Sequence, residues 1–570
     1  MKRQFTSLPA VAVAFTAAAS LLLVSCANTD STASSGSNAS QPAAQNELVQ
    51  TEFNSNFAQY FERIASDEML GRAPATQGEE NTVQYLEQQF ARIGLTPYKD
   101  GSYRQPVPVM QIDPVKVSPL TLSSDGAATR SLTYKTDMTA WSTRMQKQID
   151  VRDSEMVFVG YGIVAPEYNW NDYAGLDVKG KTVVILVNDP GFATQDDALF
   201  TGNAMTYYGR WTYKYEEAAR QGAAMALIVH ETDAASYGWN VVAGTSPIRF
   251  EVANEHKNMH RVQVEGWLSL QAAEQLFAEN GTSLTSLRQQ ALSKDFQPVR
   301  FKNRASISIS NNLRQLVSNN VIGYIKGTEQ PDEAVLYMAH WDHFGLDFSR
   351  ADDKIFNGAQ DNAGGVAALL ALAEKFKQGP APKRSIAFLA VTVEERGLLG
   401  SAWYANNPLF DLNKTVAGIN MDVINVYGPM RDMMVFGYGS SELEPILSRY
   451  AKEQNRYIAP EPTPQDGFYY RSDHFNLAKK GVPMLYARGG VDSFEHGKEW
   501  GLEQRRHYVS DYYHKVTDEF DPNWDLRGAQ QDLFLYFKVG NELANGQSWP
   551  NWLEGKEFKA VRDESLNAKP

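Results

Sequence analysis

Cysteine is almost missing from this 570-residue chain: Cys26 is the only one. A disulfide framework is thereby excluded, and the fold must be held by its apolar core and by any metal it binds. Positive charge is also in deficit. Lysine and arginine total 54 against 67 aspartates and glutamates, a formal charge of −13. Nucleic-acid binding, which wants a basic stripe, is therefore unsupported. Beyond the amino terminus no stretch is long and apolar enough to read as a membrane span. No internal repeat is visible. What remains has the composition of a globular protein, and its length predicts two folded domains.

At the amino terminus Lys2 and Arg3 precede an apolar run from Leu8 to Leu23, the layout of a secretory signal. The run ends in Leu23-Val24-Ser25-Cys26, which resembles a bacterial lipobox, with cleavage before Cys26 and lipidation of its thiol. The alternative is an uncleaved anchor, or an ordinary signal with an incidental cysteine. A lipid on Cys26 tethers a protein to a membrane without spanning it. Ala27 after it, rather than aspartate, points to the outer membrane in a host with two membranes. The expectation is an exported, lipid-anchored envelope protein. Residues 1–25 are then the signal peptide, and 26–47, rich in Ser, Ala, Asn, Thr and Gln, a flexible tether.

The folded chain changes texture twice. Residues 49–66 and 77–94 show helical apolar spacing, and Gly94 is placed to close the second helix. From about 116 to 304 strands at 156–164, 181–188 and 222–229 surround a helix near 211–221, and no metal-ligand cluster appears. His230, His256 and His260 are scattered there, as ordinary surface or hydrogen-bonded histidines are. This stretch reads as a module inserted into another domain. From 318 onward strand, loop and helix alternate up to a last helix near 526–545, which predicts a mixed, mostly parallel α/β sheet flanked by helices. The boundaries follow: 48–115 and 305–548 form one domain in two parts, 116–304 the β-rich insert, and 549–570 a charged, peripheral tail.

Chemistry concentrates between His340 and Asp422. Apolar strands at 334–339, 385–393 and 415–421 deliver His340, the pair Glu394-Glu395, and Asp422 at their carboxyl ends, where open α/β sheets collect functional groups. Asp342 lies two residues beyond His340 and is placed to orient its second nitrogen. Asp361 sits just before a helix in Gly358-Ala359-Gln360-Asp361-Asn362-Ala363-Gly364-Gly365, where glycines permit close backbone approach. Tyr513-His514-Lys515-Val516-Thr517-Asp518 adds a late imidazole. Imidazole and carboxylates converging in this way read as a metal site. Zinc with such ligands polarises a carbonyl, and a free carboxylate moves the proton.

These segments, with Leu70-Gly71-Arg72-Ala73-Pro74 and Arg471-Ser472-Asp473-His474-Phe475, resemble in their order the M28 family of zinc peptidases from about residue 50 to 545. The insert resembles a protease-associated (PA) domain. The resemblance implies two zinc ions. His340 and Asp422 bind one, Glu395 and His514 the other, and Asp361 bridges both. Glu394 is implied as general base and then general acid, and Asp342 as the partner of His340. Gln360 departs from the acidic residue common in relatives, and Gly364-Gly365 from Ala-Ser-Gly, without removing a ligand. His343 and His474 are expected in structural or substrate-side roles, His496 and His507 in none. Phe468, Tyr469 and Tyr470 line a specificity pocket or simply pack. The stretch 489–507 is expected as a loop near the pocket.

The implied activity is that of a metallo-exopeptidase acting on peptides, an aminopeptidase first of all. Carboxypeptidase or dipeptidase action uses the same scaffold. Glutaminyl cyclisation is disfavoured because relatives with that activity use one zinc. A receptor-like binding protein predicts lost ligands, and none is lost. Histidine and carboxylate ligands also accept cobalt or manganese. Side-chain preference and oligomeric state are not legible.

Overall fold

The computed structural model describes residues 56–567 apart from 125 and 127. The signal peptide, the tether and Cys26 lie outside the described residues. Helices α1 (Asn56–Ile64) and α2 (Gln77–Ile93) form where the apolar spacing placed them, and Gly94 caps α2 at φ 81°. The stretch expected as an insert, residues 116–304, is reached along β1 (Arg104–Val117). It continues through β2 (Gln148–Phe158), β3 (Thr182–Leu186), α3 (Trp211–Arg220), β4 (Met225–Val229), β5 (Arg249–Val252) and β6 (Val264–Leu268). Strands β2, β3, β4 and β6 run parallel to one another, and two apolar clusters of their own lie on the faces of this sheet.

The chain leaves the insert on β7, an uninterrupted strand of 27 residues from Val299 to Ile325. Its first part pairs with β2 and its later part with β1. Its end lies antiparallel to β9 (Arg384–Val391), after β8 (Gln330–His340) and α4 (Gly364–Gln378). The second sheet is completed by β10 (Thr415–Asn420), β11 (Asp432–Val435) and β12 (Met484–Gly489), with α5 (Leu443–Glu453) between the last two. Its order is β7-β9-β8-β10-β12-β11, parallel from β9 to β12 and antiparallel at both ends. This is the expected mixed, mostly parallel architecture.

Alternation along β8 explains the layers. Val335, Tyr337, Ala339 and Trp341 enter the large core under α1, α2, α4 and the late helix α7 (Arg527–Asn545), whose member side chains are fully enclosed. Ala334, Leu336 and Met338 enter the core on the opposite face. A strand buried on both sides reads as a continuous apolar run, which made it visible in sequence.

Two expectations fail. The stretch 489–507 is not all loop: α6 occupies Gly497–His507, and its glycine and charge content hid a helix with a mostly solvated surface. The tail is not peripheral either. Trp552 is buried, and Arg562, 0% exposed, donates to the carbonyls of Thr415, Val416 and Pro550. A charged residue read as solvated is here satisfied by backbone at the foot of β10. Among the described residues no helix is long and apolar enough to cross a membrane.

Candidate metal centre

The carboxyl ends of β8, β9 and β10 meet the start of α4, and the sequence-selected side chains meet there. His340 ends β8, and its Nε2 lies 3.1 Å from Asp361 Oδ1 and 3.5 Å from Asp422 Oδ1. The other oxygen of Asp361 faces away from His340. Asp361 Oδ2 is 3.3 Å from His514 Nε2, which is also 3.3 Å from Glu395 Oε2. One aspartate thus stands between two donor groups.

Several contacts hold this arrangement. Asp518 accepts the backbone N–H of Gln360 (3.0 Å) on one oxygen and that of Asp361 (3.1 Å) on the other. Asn362 donates to Met421 O (2.9 Å) and accepts from Gly365 N (3.1 Å), tying the Asp361 turn to the end of β10. A side chain at Gly365 has no room: its Cβ falls 2.2 Å from Asn362 Oδ1 and 2.5 Å from Met421 O. The peptide between Asp361 and Asn362 is cis. Arg72, fully buried, donates to the carbonyls of Trp341, Ile64, Asn357 and Gly358, bracing the loops after His340 and before Asp361.

Asp342 takes a different part from the one expected. His340 Nδ1 pairs with the backbone carbonyl of Asp342 (3.1 Å), while the Asp342 carboxylate accepts the N–H groups of Glu394 (3.0 Å) and Glu395 (3.4 Å). The strand ends at His340, so the extended geometry behind the expected imidazole–carboxylate contact does not persist. His343, set aside in sequence, lies inside the cluster. Its Nδ1 is 2.6 Å from Glu395 Oε1, which leaves Oε2 to face His514.

The backbone is strained around these groups. Val393, Val423 and His514 take φ of 56°, 61° and 58°. Such values cost on the order of 1–3 kcal/mol each outside glycine and persist only where the surroundings over-determine them.

Electrostatics match a cationic guest. Burial opposes protonation of His514, but Glu395 and Asp361 outweigh it and push the imidazole up to about 9. His340 is likewise held well above its ordinary range, against burial, by Glu394, Asp361 and Asp422. Burial, with Glu395 and Asp422 adding, raises Glu394 well above the usual carboxylate range. The donor atoms of His340, Asp361 and Asp422 lie within 4.8 Å of one another, and so do those of His343, Asp361 and Glu395. His340 Nε2 is buried without a well-aligned hydrogen bond. Imidazole and carboxylate donors at this spacing fit zinc.

The Glu394 side chain stands apart, with no hydrogen-bond partner among the described residues, beside a cavity of about 960 Å³ lined by both the metal cluster and the insert. Residues 320–538 match the model of Peptidase family M28. The matched region contains every residue of the cluster. The chain is 36% identical over 123 residues to the aminopeptidase NAALADL1 of Mus musculus, covering 20% of this chain and 15% of that protein. It is 31% identical over 246 residues to a probable glutamate carboxypeptidase of Arthroderma benhamiae, covering 40% and 31%. The chain therefore spans less than a third of either relative. Among solved structures, the aminopeptidase from Aneurinibacillus sp. strain AM-1 superposes with a TM-score of 0.47 at 18% identity, covering 88% of this chain and 97% of that one.

His474 and Asp473 of the Arg471–Phe475 segment are buried near the metal cluster without joining it. Asp473 accepts from Ser401 (2.5 Å), and burial raises it to about 7. His474 packs between Tyr469 and Tyr486, and burial lowers it to about 3. Phe468 and Tyr470 line the cavity, whereas Tyr469 packs in the core. His230 bonds a backbone carbonyl in the insert. Sequence reasoning overlooked Asp518 and Arg72 as braces, although both stand inside motifs it singled out.

Proposed function

We propose that this chain is a dinuclear zinc exopeptidase, an aminopeptidase releasing amino-terminal residues from peptides. The observation that carries this reading is the division of Asp361, one oxygen toward His340 and the other toward His514, with unpaired Glu394 beside them. His340 and Asp422 would hold one ion, Glu395 and His514 the other, and Asp361, with one oxygen toward each imidazole, would serve both. Bound zinc supplies Lewis acidity to the scissile carbonyl and lowers the pKa of water. Glu394 accepts a proton from water as its oxygen bonds to the carbonyl carbon. The same carboxyl then gives that proton to the amine nitrogen as the C–N bond breaks. Asp342 fixes Glu394 and Glu395 through their backbone N–H groups, so that adjacent residues serve different tasks. His343 orients Glu395.

The insert, in this reading a PA-like domain, walls the cavity on the side away from the metal ligands. Lipid on Cys26 anchors the exported protein to the envelope. Incorporation of labelled palmitate, lost in Cys26→Ser, tests the anchor.

The activity is tested with peptides bearing free or acetylated amino termini, with and without chelator, beside Glu394→Gln. Chelator-sensitive cleavage confined to free amino termini, and lost in the variant, is the expected result. Release of carboxyl-terminal residues from both sets moves the assignment to a carboxypeptidase. No turnover of either set with two metals bound leaves a binding protein.

A further inference from the structure

Besides the carboxylates, the cavity presents arginines that the proposed chemistry does not use. Arg210 precedes α3 in the insert, Arg471 ends a short turn at Phe468–Arg471, Arg488 lies on β12 and Arg505 on α6. None of the four forms an ion pair among the described residues. Arg488 donates to Val423 O (3.3 Å) and Arg505 to Thr463 Oγ1 (3.2 Å). The side chains of Arg210 and Arg471 have no hydrogen-bond partner among the described residues, and the Nε of each is buried.

The guanidinium faces, by contrast, are fixed. Arg210 lies over Trp211 at 5.3 Å, and Arg488 over Phe436 at 5.4 Å. Arg471 and Arg505 both contact Phe468, at 5.0 and 5.5 Å. The ring contacts place the guanidinium groups, and the unpartnered N–H donors of Arg210 and Arg471 suit a carboxylate, which a guanidinium can bind in two-pronged fashion. Arg210 and Arg471 also repel each other, and burial with that repulsion lowers Arg210 to about 9. Both lie within electrostatic reach of Tyr513, whose ring stacks on His514 at 3.7 Å. The pair therefore stands next to the reacting centre. Two half-buried, like-charged side chains, each with a buried and unpartnered Nε, are costly unless an anion completes them.

We propose that Arg210 and Arg471 form a subsite for a substrate carboxylate, flanked by Arg488 and Arg505, so that the preferred substrates are anionic peptides. This rests on the peptidase reading above. The carboxylate has two possible sources: the free carboxyl terminus of a short peptide, or an acidic side chain.

The test measures kcat and KM of the zinc-loaded protein on paired peptides. Ala-Ala-Ala against its carboxyl-terminal amide isolates the terminus; Ala-Glu-Ala-amide against Ala-Gln-Ala-amide isolates the side chain. One pair should favour its anionic member by about tenfold in kcat/KM, mainly through KM, the size of one charge-assisted contact. Arg210→Gln and Arg471→Gln should each shrink that preference, and Arg210→Lys should restore part of it. Equal rates within both pairs, or a preference kept in both glutamine variants, overturns the subsite while leaving the peptidase reading intact. A second readout does not need turnover. Glutarate, but not glutaramide, should raise the Tm of the wild-type protein and not that of the Arg210→Gln/Arg471→Gln double variant. Absence of that shift overturns the subsite even where no peptide is cleaved, and hydrolysis of none of the four peptides counts against the peptidase reading alone.

Discussion

The two walls of the cavity are built in opposite ways. The acidic wall comes from consecutive parallel strands and the start of α4: Glu394, Glu395 and Asp422 follow strand ends and Asp361 precedes the helix, with Asp518 bracing Asp361 and Asp342 bracing Glu394 and Glu395 through their backbone N–H groups. The basic wall is gathered from an insert helix, a short turn, the end of β12 and α6, and its side chains are braced by aromatic faces. Strand ends hold an atom to a fraction of an ångström, as bond-breaking requires. Long side chains on rings hold a plane and leave its edge adaptable, which suits the choice of substrate. Chemistry and selection are thus assigned to different parts of the fold.

The strongest way to break this division is Glu394→Gln. Turnover should fall by about 10²–10⁴-fold, the usual contribution of a positioned acid–base group, with zinc content unchanged by metal analysis. A loss of zinc as well would mean that Glu394 belongs to the ligand set. Next is Asp518→Asn, which takes a negatively charged brace from the Asp361 turn. Competition with a chromophoric chelator should show zinc affinity reduced by about 10–100-fold, as for other groups that orient metal ligands. Phe468→Leu probes the other wall. It should cost about 0.5–1 kcal/mol for each stacked arginine, seen as a raised KM for the anionic peptide, with zinc affinity unaltered.

The mildest test uses Glu251, the acid that sits on the basic side. Burial, opposed by Arg261 and reinforced by Glu265, raises it to about 7, with Asn258 and Arg249 also lowering it. Its folded value exceeds its ordinary value of 4.5. Its stabilising share is therefore complete below that value and lost as pH rises through about 7. Glu251→Gln should match the wild-type Tm at pH 4 and exceed it at pH 8. Equal thermal curves at both pH values would place Glu251 in open solvent.

The acidic wall was legible in sequence because Glu394, Glu395 and Asp422 follow apolar runs and Asp361 stands in a glycine-flanked segment before a helix. Ala334–Ala339 and Ser385–Val393 announce buried strands, and a carboxylate or imidazole directly after one has few innocent explanations. The basic wall was not legible. Arg210, Arg471, Arg488 and Arg505 are spread over some three hundred positions, and an arginine in a polar stretch looks solvated until the tertiary structure surrounds it. Helix α6 was lost for a related reason, since Lys498, Glu499, Glu503 and Arg506 give it little apolar stripe. The exchange of partners at Asp342 depends on where β8 stops, and strand ends are the least certain feature of any sequence reading. His343 carried no distinguishing mark beyond standing three residues from His340.

Strand β7 has a consequence for how the molecule comes apart. The chain enters the insert on β1 and leaves it on β7, and these two strands are hydrogen-bonded to each other from Arg104–Val321 to Val117–Ile309. Entry and exit are therefore not a pair of linkers but the two rails of one ladder, a continuous strand of roughly 90 Å at the usual rise per residue. A protease attacks chain that can be drawn out straight into its own cleft, and here each junction is already spoken for by its neighbour. Nicking should fall elsewhere, and the insert should not be released as a free fragment. Inheritance faces the same barrier: a clean exchange of this insert for another requires cutting and rejoining both rails in register at once.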